Sequence, residues 1–162
     1  SVPSSGRLES DRRPLLTAAS LSARAMKQET RDSARRWIGE AEKDIVDAEL
    51  LLRHEGYYPL CRLAYLAAEK AMRAWLLEKG LEVSEQAGLA ALSREVSSAE
   101  PALGSLIRSL HPLEQFAPPQ PTADHEATSP SPPLYSREIA KQAIALARQA
   151  VTEVKRSLAA PS

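Results

Sequence analysis

Apolar positions along this chain recur at helical rather than strand spacing. Between Asp32 and His54, Trp37, Ala41, Ile45, Ala48 and Leu52 follow at steps of four and three, which stacks them on one side of a helix. Glu40, Lys43 and Asp47 fall largely outside that stripe. Glu55-Gly56 then predicts a stop, with Gly56 as a left-handed cap. A second helix is predicted from Pro59, whose missing N–H costs nothing in a first turn, to Lys79, ending at Gly80. This segment is apolar on most sides. Leu60, Leu63, Ala64, Ala67, Ala71 and Trp75 form one face, and Leu66, Met72 and Leu76 widen it. It reads as the central helix of a bundle, or as a helix buried on a second side by a partner.

The pattern weakens from Glu82 to Glu100, where Leu89, Leu92 and Val96 predict a short helix after Ser84. Pro101 opens a further helix with Leu103, Leu106, Ile107, Leu110 and Leu113 inward, ending near Phe116. Residues 117–133, APPQPTADHEATSPSPP, carry too many prolines for a helix or sheet interior and read as a long, partly extended loop. The last helix begins at Ser136, with Glu138 supporting its N-terminus and Lys155 and Arg156 complementing the macrodipole at its end. Its expected core stripe is Ile139, Ala143, Leu146, Ala150, Val154 and Leu158. The fold class expected is therefore all-α: an antiparallel helical bundle of about five helices with a four-helix-bundle core. Trp37, Ala41, Ala64, Ala67, Ala71, Leu110, Leu146 and Ala150 are expected inside it. Residues 1–30, rich in Ser and carrying Pro3, Gly6 and Pro14, read as a flexible tail or interdomain linker ahead of a bundle over 31–160. Within that tail Leu15 to Met26 has the composition of a short helix.

Composition sharpens this picture. A chain of 162 residues with 43% hydrophobic content is one domain with a real core. The 21 Lys and Arg balance the 21 Asp and Glu, which removes any bulk electrostatic drive toward nucleic acid or an anionic membrane. Neither DNA nor a membrane is expected as a partner. Charge is unevenly spread, however. Residues 1–36 hold eight Lys or Arg against four acids, and residues 81–136 hold seven acids against two Arg, a basis for attraction between chains. The single cysteine, Cys61, rules out a disulfide framework and fits a reducing, cytoplasmic setting.

Candidate chemistry is sparse. His54, His111 and His125 have no helical metal-ligand spacing, and no glycine-rich phosphate loop is present. No metal and no cofactor is expected. Cys61, next to Leu60 in an apolar helix, reads as a buried small hydrophobe. Glu69 and Lys70 are the unusual pair, because charges in so apolar a helix must reach solvent, a partner or a ligand. A polar stripe of Arg62, Glu69 and Arg73, with a Glu69–Arg73 pair, is one outcome; a face turned to a dimer partner or ligand is the other.

The segment ARRWIGEAEKDIVDAELLLRHEGYYPLCRLAYLAAEKAMRAWLLEKG resembles the first two helices of a HEPN domain (higher eukaryotes and prokaryotes nucleotide-binding). Trp37 matches the family's aromatic near the start of the first helix, and Ala41, Asp44 and Ala48 its Ala–acid–Ala pattern. Ala67 to Ala74 match its A-x-E-K-A-x-[KR]-A core, and Tyr135, Ser136 and Glu138 its entry to the last helix. The HPLEQF segment at 111–116 and the proline-rich loop are most similar to the sacsin-type branch, found at the end of a very large chaperone-related protein. That resemblance implies a homodimer with a nucleotide, GTP or ATP, in a basic cavity. The loop here lacks the branch's Arg-Tyr-Pro, which weakens the nucleotide expectation. Ribonucleases of the family use Arg, four to six residues, then His. Arg108 precedes His111 by only three positions, so catalytic residues are not carried over and a non-enzymatic role is expected. The alternative is a HEPN ribonuclease toxin, or the partner of a small nucleotidyltransferase in a toxin–antitoxin pair. The ligand-binding candidates are Arg62, Lys70, Arg73, Arg108 and His111. The second and last helices are expected to supply the dimer face.

Overall fold

Thr17 opens the first helix: its side-chain oxygen accepts the Ser20 N–H at 3.1 Å, satisfying a donor that no earlier turn can reach. A computed structural model describes residues 17–119 and 135–159, and among these every regular element is helical. The elements are α1 (Ala18–Arg53), α2 (Tyr57–Glu78), α3 (Leu89–Ala99), α4 (Gly104–Leu110) and α5 (Arg137–Ala159). Short 3₁₀ turns at Pro101–Leu103 and His111–Phe116 flank α4. The all-α bundle expected from the periodicity is thus the architecture. The division expected at 31 falls inside α1, which is continuous from Ala18, while residues 1–16 lie outside the described residues. Most of the proline-rich loop, 120–134, lies outside them as well.

α2 occupies the centre. α1 lies along one side, α5 along another, and α3 with the His111–Phe116 turn closes a third. Leu60, Met72, Leu76 and a row of alanines, Ala64, Ala67, Ala68 and Ala71, are fully buried on it. Small side chains let neighbouring helix axes approach closely. α1 and α5 also meet directly, through Lys155–Glu42 at 3.2 Å and an Arg148–Glu49 pair. Seven residues forward on α5 correspond to seven backward on α1, so the two run antiparallel.

Three local features differ from the sequence reading. The α1–α2 junction places Glu55, not Gly56, in the left-handed region, at φ 59°. Gly56 N–H donates to Leu51 O at 2.9 Å and Glu55 N–H to Leu52 O at 3.4 Å, a Schellman arrangement one residue earlier than expected. At the other end of α2, Gly80 does take the left-handed position, at φ 73°. The segment from Pro101 to Phe116 is not one helix. Pro112 has no N–H for the Arg108 carbonyl, and His111 N–H takes that carbonyl instead, tightening the chain into the second 3₁₀ turn. On α5 the buried stripe is Ala140, Ala143, Ile144, Ala147, Ala150, Val151 and Val154, so Ile139, Leu146 and Leu158 are only half-buried. The helix is rotated toward its smaller residues because alanines dock closest on the alanine row of α2. Trp37 is likewise half-buried. The other residues expected inside, Ala41, Ala64, Ala67, Ala71, Leu110 and Ala150, are in the core.

Candidate functional site

The candidate residues bond to different partners, although Lys70 and Arg73 both lie near Glu69. Arg73, only 6% exposed, projects from the buried part of α2. Its guanidinium donates to Ser84 O at 2.9 Å and Ala87 O at 3.1 Å and stacks over the Trp37 ring, 5.4 Å from its centroid. It therefore fastens the link between α2 and α3 and lies over α1, with two of its donors spent on backbone. Lys70 donates to Asp44 Oδ2 at 2.7 Å, and both side chains are largely covered. Burial makes that pair interdependent, since removing either partner strands a charge. Asp44 is the functional-looking residue that spacing alone passes over. It lies three residues after Ala41 and four before Ala48, on the buried side of α1.

Arg62 donates to the Tyr58 hydroxyl at 3.0 Å and lies over that ring. Tyr58 in turn meets Tyr135 edge-on at 5.1 Å, and Tyr135 lies 5.9 Å from Phe116. These aromatics bind the start of α5 to the start of α2. Arg108 is exposed in the last turn of α4. His111 is also exposed, and its Nδ1 sits 3.1 Å from Glu114 Oε2. His54 ends α1 on the surface, and His125 lies outside the described residues. Two open grooves, of about 670 and 690 Å³, are lined by none of the five candidates.

The expected Glu69–Arg73 pair is not among the ion pairs of the described residues. Glu69 instead faces Tyr65, its neighbour one turn earlier on α2. Burial pushes the Glu69 carboxyl above its usual range, and the Tyr65 hydroxyl, Arg73 and Lys70 each pull it partly back. Tyr65 is also anchored on its other side, where its oxygen accepts the Leu89 N–H at 3.0 Å at the start of α3. Cys61 is buried, and its thiol is pushed up to about 11 by loss of water, which leaves it protonated and unreactive at neutral pH. Among the described residues no three His, Cys, Asp or Glu side chains gather as a metal site. None of the described helices is long and apolar enough to cross a membrane.

An α2-centred bundle with an antiparallel α1–α5 pair and a broken connection before the last helix defines a compact all-α module. The HEPN domain family model matches residues 34–157, and the chain belongs to that family. Its fold is similar to that of an archaeal HEPN homologue solved by crystallography, at 22% identity and a TM-score of 0.60, over 77% of this chain and 97% of the other. No curated protein matches.

Proposed function

We propose that this chain is a non-catalytic HEPN module that acts by associating with a second copy, in the manner of the sacsin-type branch within a larger chaperone-related protein. The observation that carries the reading is the state of the cations. Arg73 is spent on backbone carbonyls and Lys70 on Asp44, while His111 follows Arg108 by three positions and faces Glu114 on the surface. Cations so committed favour structure over phosphate chemistry. A GTP or ATP ligand would be left Arg62 and Arg108, which points to weak nucleotide binding.

The experiment combines sedimentation of the full chain, titration calorimetry with GTP and ATP, and incubation with single-stranded RNA. A dimer at micromolar concentration, weak nucleotide heats lost in Arg62→Ala or Arg108→Ala, and intact RNA are expected. RNA cleavage that disappears in His111→Ala would overturn the non-catalytic reading, and a monomer throughout would remove self-association.

A further inference from the structure

The buried stripe of α1 runs on past the end of its cover. Ala34, Ile38, Ala41, Ile45 and Ala48 are buried at steps of four and three. The same steps counted back from Ala34 give Thr30, Met26, Ala23 and Ala19, on the same side of the helix. Thr30 is half-buried, and residues 18–29 are exposed. The reason is where α2 stops. Lys70 pairs with Asp44 and Glu78 lies 3.8 Å from Arg31, so α2 runs antiparallel to α1 and ends beside its second quarter. Beyond that level lies an open groove of about 670 Å³, lined by Ala23, Met26, Lys27 and Thr30 on α1 and by Lys79 and Gly80 after α2. Met26 is 67% exposed, the most of any large hydrophobic among the described residues.

Charge says what covers it. Arg31 and Glu78, which also border the groove, offset each other. Among the described residues neither Lys27 nor Lys79 is in an ion pair, and Lys79 Nζ lies over the Trp75 ring, 5.4 Å from its centroid. The uncancelled charge of the groove is therefore positive. The leading residues of the chain do not match it, since residues 1–16 hold Arg7, Arg12 and Arg13 against Glu9 and Asp11. The same groove on a second copy would repeat its cations.

We infer that this groove docks an acidic amphipathic helix of another protein, laid along α1 in the place that α2 holds further on. Its apolar face covers Ala23 and Met26, whose flexible thioether adapts to what it meets. Its Glu or Asp side chains, flanking that face, meet Lys27 and Lys79. From Ala19 to Thr30 the surface is about 17 Å long, or some three helical turns. A contact this short is weak, and its exposed charges make it sensitive to salt. It needs no second copy and stands apart from the self-association proposed above.

The test is fluorescence anisotropy of the full chain with a labelled, end-capped peptide of about 20 residues, with Leu and Ala on one helical face and Glu on both flanks of that face. A second peptide carries Lys in place of every Glu. Binding of the Glu peptide that weakens as salt rises, and no binding of the Lys peptide, are expected. Met26→Glu, and Lys27→Glu combined with Lys79→Glu, are each expected to weaken binding by about tenfold or more, with thermal melts confirming a folded chain. Lys43→Glu reverses a charge on the opposite side of α1 and is expected to leave binding unchanged. No binding of the Glu peptide at low salt, equal binding of both peptides, or equal weakening by Lys43→Glu would overturn the inference. Single-stranded RNA that displaces the Glu peptide from the wild type would overturn it too, by assigning these cations to phosphate.

Discussion

α2 and α1 divide the polarity of this molecule in opposite ways. α2 is the most apolar helix, and as a sequence it invites a partner on a second face. The fold supplies that cover internally: α1, α5, α3 and the His111–Phe116 turn surround it, and twelve of its residues are buried. α1 is far more polar, yet it keeps Leu21, Val46 and Leu50 in water. High apolar content marks the centre of a bundle, and a free face is better read from apolar residues that recur off the main stripe of an otherwise charged helix. Self-association argued from the apolarity of α2 loses that motive, because the chain covers α2 itself.

The largest expected effect breaks this contrast at its core. Met72, fully buried on α2, has no room to be replaced by a smaller side chain without leaving a cavity. Met72→Ala is expected to cost about 2–5 kcal/mol in urea unfolding. Leu50→Ala on the open edge of α1 is expected to stay within about 0.5 kcal/mol for the monomer. Equal losses at the two sites would mean that α1 is covered within a single chain.

Legibility in the sequence follows the same division. Helix periodicity located α2 to within two residues and found most of the core, because long amphipathic stripes have few alternative solutions. It misjudged the rotation of α5, where Ile139, Leu146 and Leu158 looked like the stronger stripe. Close alanine-on-alanine packing outweighed the larger hydrophobic side chains there, and that depends on what α2 presents across the gap. The break at Pro112 was visible as a residue but not as a consequence, because α4 is held by tertiary contacts too short for a periodic signal. Among the candidate site residues, sequence spacing put Arg62, Glu69 and Arg73 on one stripe of α2. It could not show that the Ser84 and Ala87 carbonyls, from a segment without periodicity, would claim Arg73. Lys70 stood out as a charge needing company, and its partner Asp44 lies 26 positions away on another helix.

Arg73 and Arg62 sharpen the comparison at the level of single cations. Arg73→Met keeps a long apolar stem but leaves the Ser84 and Ala87 carbonyls without their donor and removes the stack on Trp37. A loss of about 2–3 kcal/mol in unfolding is expected, with weakened protection of the Ser84–Leu89 segment in hydrogen exchange. Arg62→Met, at a half-buried position bonded to an exposed tyrosine, is expected to cost no more than about 1 kcal/mol. A mild Arg73 variant would return that residue to the list of free cations.

Glu69 gives the smallest effect and the one with a signature in pH. Burial raises its carboxyl above the usual 4.5 in the folded chain, while the unfolded chain keeps the ordinary value. Below the ordinary value both states hold the proton and Glu69 costs nothing. As pH rises through the window between the two values, the unfolded chain releases its proton first, so stability falls; above the folded value the cost is constant. Glu69→Gln removes the titration while keeping an oxygen that can accept the Tyr65 hydroxyl. Relative to wild type, the variant is expected to be more stable at neutral pH, with the difference shrinking toward zero as the solution is acidified through that window. Urea midpoints measured across the acidic range decide it. A Glu69→Gln variant that is less stable at neutral pH would mean that the ionised carboxylate is held by Tyr65, Arg73 and Lys70 more strongly than burial opposes it.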